Sequence, residues 1–110
     1  MGTGTQVRRP AHETIDVLVC YDVSTETVQG RRRLRLVAKA CEAFGQRVQY
    51  SVFECSLSRT DLARLRIRLL EIVNAEEDSL RIYKLIGGRA AVTESYGKDR
   101  YIDFHDTIII

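Results

Sequence analysis

Cysteine, histidine and proline are all scarce in this chain, and none is arranged for the chemistry it usually supplies. The three cysteines, Cys20, Cys41 and Cys55, are odd in number and form no CxxC pair. Each lies inside an apolar stretch, so they read as small buried hydrophobes of a reducing compartment. His12 and His105 have no Cys or His partner at metal-ligand spacing. Ser24 has no histidine near it in sequence, which leaves a nucleophilic mechanism weakly supported. P-loop and GxGxxG patterns are missing. No run approaches the roughly 18 apolar residues of a membrane span. The opening MGTGTQVRRPAHET lacks an apolar h-region, so it does not read as a secretory signal. It holds glycine, threonine and the single proline, Pro10, and reads as a flexible extension over residues 1–14. The expected compartment is the cytoplasm.

Lysine is scarce too, and that shortage is informative. Of the 17 basic residues 14 are arginine and three are lysine. Arginine suits planar, bidentate contact with phosphate or carboxylate, although a GC-rich genome produces the same bias. The 110 residues make one domain. A 45% hydrophobic content supports a small core, and 29% charged residues with a net charge of +2 exclude a strongly disordered class. A chain of this size buries only a modest fraction of its surface, so dimerisation is a natural source of further burial.

IDVLVCY (15–21) is apolar and β-branched with little alternation, which suits a central strand covered on both faces. Ser24 and Thr25 are candidate caps for the amphipathic helix that follows. Leu34, Val37, Cys41 and Phe44 recur at helical spacing, giving a helix over 28–44 that Gly45 stops. In QRVQYSVFECSL, Val48, Tyr50 and Val52 share one phase while Phe53, Cys55 and Leu57 share the other. The slip between them predicts either a hairpin or one bent strand. Ser58 or Thr60 caps a second helix with Asp61 in its first turn and Leu62, Leu65, Leu69 and Ile72 along its buried seam. The acidic AEED closes that helix. SLRIYKL is a further strand, with Leu80 and Ile82 on one face and Arg81 and Tyr83 on the other.

The order strand, helix, strand, strand, helix, strand is the split βαβ plan, an α+β ferredoxin-like βαββαβ sandwich with both helices on one sheet face. The domain spans residues 15–86, and residues 87–110 form a linker and a C-terminal strand. The closing isoleucines at 108–110 would make a sticky free edge. Residues 107–110 therefore read as an extra strand that pairs with a partner protomer in a homodimer. The alternative is that they pack on their own sheet.

Asp22 is the sharpest chemical candidate. It stands at the carboxyl end of the central strand, where open α/β sheets place ligands. One carboxylate is a poor cage for a hard cation. A two-fold axis beside it would double the count, and a magnesium held there could activate water against a phosphodiester. The competing reading is an Asx-turn or capping aspartate bonded to the amides after it. The block Arg31, Arg32, Arg33 and Arg35, with Lys39 and Arg47, faces one nearby acid, Glu42. Residues step by about 100° around a helix, so the triplet cannot all face the core. Cations at a helix start oppose its dipole, which points to a ligand such as a nucleic-acid backbone. The alternative is a solvated face paired with AEED.

Taken together, VLVCYDVST, GRRRLRLVAKACEAFGQRVQYSVFECSLS and DSLRIYKL resemble the CRISPR-associated Cas2 family, most closely its versions from subtype I-C systems. The resemblance covers residues 15–85, and its strand-end YD, GRRR helix start, QxSVFE and acidic-then-DSxRIY elements occur in family order. It implies a ferredoxin-like homodimer of bacterial adaptive immunity and antiviral defence. Family members bridge two dimers of the Cas1 integrase and help it insert spacer DNA into a CRISPR array. Many are also described as magnesium-dependent endoribonucleases or DNases. The implied cofactor is Mg²⁺, with Mn²⁺ as its substitute. The implied partners are a second copy of the chain, Cas1 dimers, and DNA or RNA, without a membrane. By position, Asp22 matches the strand-end aspartate that ligates metal across the dimer, and Tyr21 matches its neighbour. Arg31 and Arg33 fall in the basic helix start, with Arg32 and Arg35 beside them. Arg47 precedes the second strand, Ser51 and Phe53 belong to SVFE, and Ser24 lies in the turn after Asp22. Residues 88–101 match poorly, and residues 1–14 depart from the family's usual start. The reading from a different class is a small ferredoxin-like ligand-binding or regulatory module without nuclease activity.

Overall fold

In a computed structural model the chain is described over residues 13–98. IDVLVCYD forms strand β1, Ile15–Asp22. Val17, Val19 and Tyr21 point one way and are buried. Leu18 and Cys20 point the other way and are half-buried, and Asp22, last on that second face, is exposed. The expectation of a strand covered on both faces therefore needs correction. β1 is central, but among the described residues only one of its faces is covered by helices, because both long helices pack on the same side.

Helix α1, Val28–Glu42, begins at Thr27, whose hydroxyl accepts from the Gly30 amide at 2.9 Å. The cap is thus Thr27, not Ser24 or Thr25. Val37 and Cys41 face the core, with Leu34 and Phe44 half-buried at its rim. The helix ends before Gly45, which instead opens strand β2, Gly45–Gln49. A side chain there would strike Cys55 Sγ and stand 2.5 Å from the Glu54 carbonyl, so glycine at this position permits close strand approach. β2 pairs antiparallel with β3, Val52–Leu57, and the register shifts between Arg47 and Gln49. The phase slip read from the sequence is thus a hairpin, with an irregularity that re-aims its tip.

Ser58 caps helix α2, Arg59–Ile72, accepting from the Asp61 amide at 3.1 Å. Leu62, Leu65, Leu69 and Ile72 form the buried seam, and Arg64, Arg66 and Arg68 are exposed. AEED does not close this helix: it forms the loop into β4, Ser79–Lys84, which pairs antiparallel with β1. The sheet order is β2-β3-β1-β4, the ferredoxin-like arrangement. Phe53, Leu65, Leu69, Val17, Val19 and Val37 are fully enclosed between sheet and helices. Each such side chain contributes about 1.5–3 kcal/mol on leaving water.

After β4 the chain turns through Gly87 and Gly88, whose φ angles of +90° and +96° suit glycine, into a short helix α3, Arg89–Val92. Arg89 returns over the open sheet face: its amide donates to Asp16 at 2.7 Å and its guanidinium pairs with Glu54. The sequence reading has no α3; it treats residues from 87 onward as linker and strand. The expected strand at 107–110 and most of the N-terminal extension lie outside the described residues.

Candidate functional site

The site is assembled where β1 ends. Asp22 pairs through its backbone with Ser79 of β4 and presents its carboxylate on the open face. Among the described residues that carboxylate takes no hydrogen bond and no ion pair. The amides after it are satisfied by other groups. The Ser24 amide donates to Asp78 at 3.0 Å, and Thr27 caps the helix. Asp22 is therefore neither an Asx-turn nor a cap, and its full acceptor capacity faces solvent.

The arginine block divides by helical angle. Gly30 faces inward, where a Cβ would fall on the Ser24 carbonyl oxygen and 3.0 Å from its carbon. Arg31, Arg32 and Arg35 are exposed. Arg31 donates to the Thr25 carbonyl at 3.1 Å, and Arg35 reaches the Arg31 carbonyl at 3.5 Å. Arg33 takes a different role. Its side chain is only 15% exposed, and it pairs with Asp78 at 2.8 Å and Glu77 at 3.1 Å. The reading of a face paired with AEED therefore holds for one of the block's arginines. Arg33 belongs to the ion pairs with AEED, while its three neighbours form a solvent-facing cationic surface. The Arg33 hydrogen bond, helped by the Asn74 and Ser24 amides, holds the Asp78 carboxyl at about 2.

Arg47 lies on β2 with its guanidinium carbon 5.2 Å from the centre of the Phe53 ring and 6.0 Å from that of Tyr50. Its contact with Glu42 is loose at 3.9 Å, which leaves much of the cation available to another anion. Tyr21 and Phe53 are core residues with ring centroids 6.3 Å apart. Burial raises the Tyr21 hydroxyl's pKa, with Arg47 pulling it back. Ser51 acts through its backbone: its carbonyl accepts the Tyr21 amide at 3.1 Å, tying the hairpin tip to the strand end that carries Asp22. Tyr21 and Phe53 thus support the site from beneath, and Ser24 and Ser51 do so through their backbone groups.

A hard cation wants about six oxygens. One protomer offers one uncommitted carboxylate at the strand end, and no group of three or more ligating side chains occurs among the described residues. Alone, the described residues supply too few oxygens for such an ion, and Asp22 is the one at the strand end that could ligate it. Asp78 and Gly30 are the residues missed from the sequence. Asp78 stands in the DS that opens β4, and a carboxylate just before a strand beside β1 was the available signal.

Residues 16–90 match the family model described as CRISPR associated protein Cas2. A CRISPR-associated endoribonuclease Cas2 of Moorella thermoacetica is 46% identical over 94 residues, 86% of this chain and 98% of the relative. A CRISPR-associated endonuclease Cas2 of Halalkalibacterium halodurans is 46% identical over 93 residues, 84% of this chain and 97% of the relative. The crystal structure of Streptococcus pyogenes Cas2 at pH 6.5 superposes with a TM-score of 0.66 at 48% identity, covering 74% of this chain and 99% of that one. With the antiparallel ferredoxin-like sheet and the strand-end aspartate, the family match over residues 16–90 places this chain in the CRISPR-associated Cas2 family.

Proposed function

We propose that this chain is a CRISPR adaptation protein that works as a homodimer, binds nucleic-acid backbone, and carries a magnesium-dependent endonuclease activity on DNA or RNA. The single observation that carries the reading is the uncommitted Asp22 carboxylate on a sheet face that the described residues leave half-covered. On that face Leu18 and Cys20 are half-buried and Tyr83 is 43% exposed. Packing two such faces about a two-fold axis removes them from water and brings the two Asp22 strand ends to one locus.

In that dimer Asp22 of each protomer would hold the cation, which when bound supplies a water of lowered pKa and neutralises phosphate charge. The chain's own groups do the rest. Arg31, Arg32 and Arg35 grip backbone phosphates beside the carboxylates, and Arg47 adds a cation from the hairpin. Tyr21 and Phe53 keep the floor of the site dry and rigid. The same cationic surface serves a second task, the holding of spacer DNA while the dimer bridges Cas1 integrase dimers in the cytoplasm. No described helix is long and apolar enough to cross a membrane.

The test separates the two tasks. Asp22→Ala should abolish Mg²⁺-dependent cleavage of a short RNA or duplex while leaving duplex affinity within about twofold, since no phosphate-binding cation is removed. The double variant Arg31→Gln, Arg32→Gln should weaken duplex binding and flatten its log–log salt dependence by about two for each protomer that grips the duplex. Cleavage that survives Asp22→Ala in purified protein refutes the active-site assignment. Salt dependence unchanged in the double variant refutes the phosphate surface.

A further inference from the structure

Asp78, immediately before β4, has a side chain with no solvent exposure. Its two oxygens accept four hydrogen bonds drawn from three parts of the fold: the Ser24 amide at 3.0 Å, the Asn74 amide at 2.8 Å, and Arg33 at 2.8 Å and 3.2 Å. Ser24 is the second residue after Asp22. Its amide is held by Asp78, and its carbonyl rests against the bare Cα of Gly30. The next residue, Ser79, is the backbone partner of Asp22 itself. One short segment therefore secures both the end of β1 and the turn that follows it.

We propose that Asp78 is a positioning residue for Asp22: backed by Arg33, it clasps the Ser24 peptide and so fixes the direction in which the Asp22 carboxylate leaves the sheet. The inference rests on the reading of Asp22 as the metal-holding carboxylate. The chemistry favours an anchor of this kind. A carboxylate that must meet its symmetry mate and a cation needs a placement good to about half an ångström, which an exposed strand end does not supply unaided. Charge-assisted hydrogen bonds to a buried anion are short and directional. Arg33, which a count of basic residues assigns to phosphate, neutralises that anion and leaves the polyanion surface to Arg31, Arg32 and Arg35.

Amide exchange followed by NMR on the full chain tests it. In Asp78→Ala the Ser24 amide should exchange roughly tenfold faster or more, the effect of losing one charge-assisted hydrogen bond. The Asp22 carboxyl resonance should shift, while amides of α2 and β3 keep their rates. Asp78→Asn retains an acceptor for Ser24 and should restore most of its protection; it also decides the matter if the alanine variant does not fold. Unchanged exchange at Ser24 with an unmoved Asp22 resonance overturns the proposal. So does faster exchange spread evenly over β1, β3 and β4, which signals general destabilisation. Mn²⁺ alone is the second probe. It should broaden Asp22 resonances in the unaltered protein, lose that effect in Asp22→Ala, and bind roughly tenfold more weakly in Asp78→Ala. Absence of broadening in the unaltered protein refutes the metal reading, and the exchange result then stands or falls by itself.

Discussion

Gly30→Ala puts two rules of helix stability in opposition. Gly30 lies in the first turn of α1. By propensity alone, alanine there should stabilise the protein by about 0.8–1 kcal/mol. The packing predicts the opposite sign. The new methyl would fall on the Ser24 carbonyl oxygen, 3.0 Å from its carbon and 3.3 Å from the Thr27 hydroxyl that caps the helix. The Ser24 peptide cannot simply swing aside, because its amide is held by a fully buried carboxylate. Overpacking of this kind costs about 1–3 kcal/mol, and displacing the capping hydroxyl adds up to about 1 kcal/mol. The net expectation is a loss of up to about 3 kcal/mol after subtracting the propensity gain. Urea unfolding followed by far-UV circular dichroism measures it, at one fixed chain concentration because association shifts apparent stability. The exposed neighbour Gln29→Ala serves as control, with an expected change within about 0.5 kcal/mol. If Gly30→Ala is instead stabilised by the full propensity gain, the close approach of the Ser24 turn to α1 is wrong, and only the Asp78 hydrogen bond holds that turn.

Acid should act through Asp78. Its carboxyl is held at about 2 against an ordinary 3.8, first by the Arg33 hydrogen bond. A lowered folded-state pKa adds stability that is complete above 3.8 and lost as pH falls toward 2. Titration through that window should remove on the order of 1–2 kcal/mol once solvent screening is allowed for, and Asp78→Asn should not show that loss. Thiol labelling at about pH 8 should leave Cys41 and Cys55 unmodified in the native protein, since burial suppresses thiolate formation. Burial pushes Cys41 and Cys55 up to about 12, so mass spectrometry should find them modified only in denaturant. Leu18→Asp places a charge mid-way along the open sheet face. Sedimentation should then find monomer at concentrations where the unaltered chain is dimeric, and a variant that remains dimeric removes that face from the interface.

Much of this architecture was legible because period carries it. The 3.6-residue spacing of Leu62, Leu65, Leu69 and Ile72 marks the buried seam of α2, and all four are enclosed. The phase slip in QRVQYSVFECSL marks the hairpin. What period cannot read is which of several equivalent groups tertiary contact selects. Ser24, Thr25 and Thr27 stand almost in a row before α1, and any hydroxyl among them can cap; Thr27 does so because the helix starts at Val28 and Thr27's extended backbone turns the hydroxyl onto the Gly30 amide. Gly45 looks like a helix stop but opens a strand, where its missing side chain admits Cys55. The arginine triplet has no distinguishing local signal at all. Arg33 differs from Arg31 and Arg32 only in the angle at which it meets a loop 44–45 residues further along the chain. Helix α3, at four residues, is too short to leave a periodic trace.

The two aspartates at this corner show why the chemistry was harder to read than the fold. Asp22 and Asp78 occupy similar places in sequence, each beside the end of a strand, and composition treats them alike. Asp78 is enclosed and saturated by amide and guanidinium donors, so it is ionised yet has no acceptor capacity for a ligand. Asp22 is exposed and uncommitted among the described residues. The second condition depends on the first. Amides following a strand end must be satisfied, and an aspartate at that end is the usual donor-seeking partner. By assigning the Ser24 amide to Asp78 and the Gly30 amide to Thr27, the fold removes the local demand on Asp22. A carboxylate relieved of that local demand can bind a cation without first breaking hydrogen bonds, each worth about 1 kcal/mol or more. Ligand capacity at the end of β1 is thus a product of hydrogen bonds made by other residues, which is why no motif confined to YD can report it.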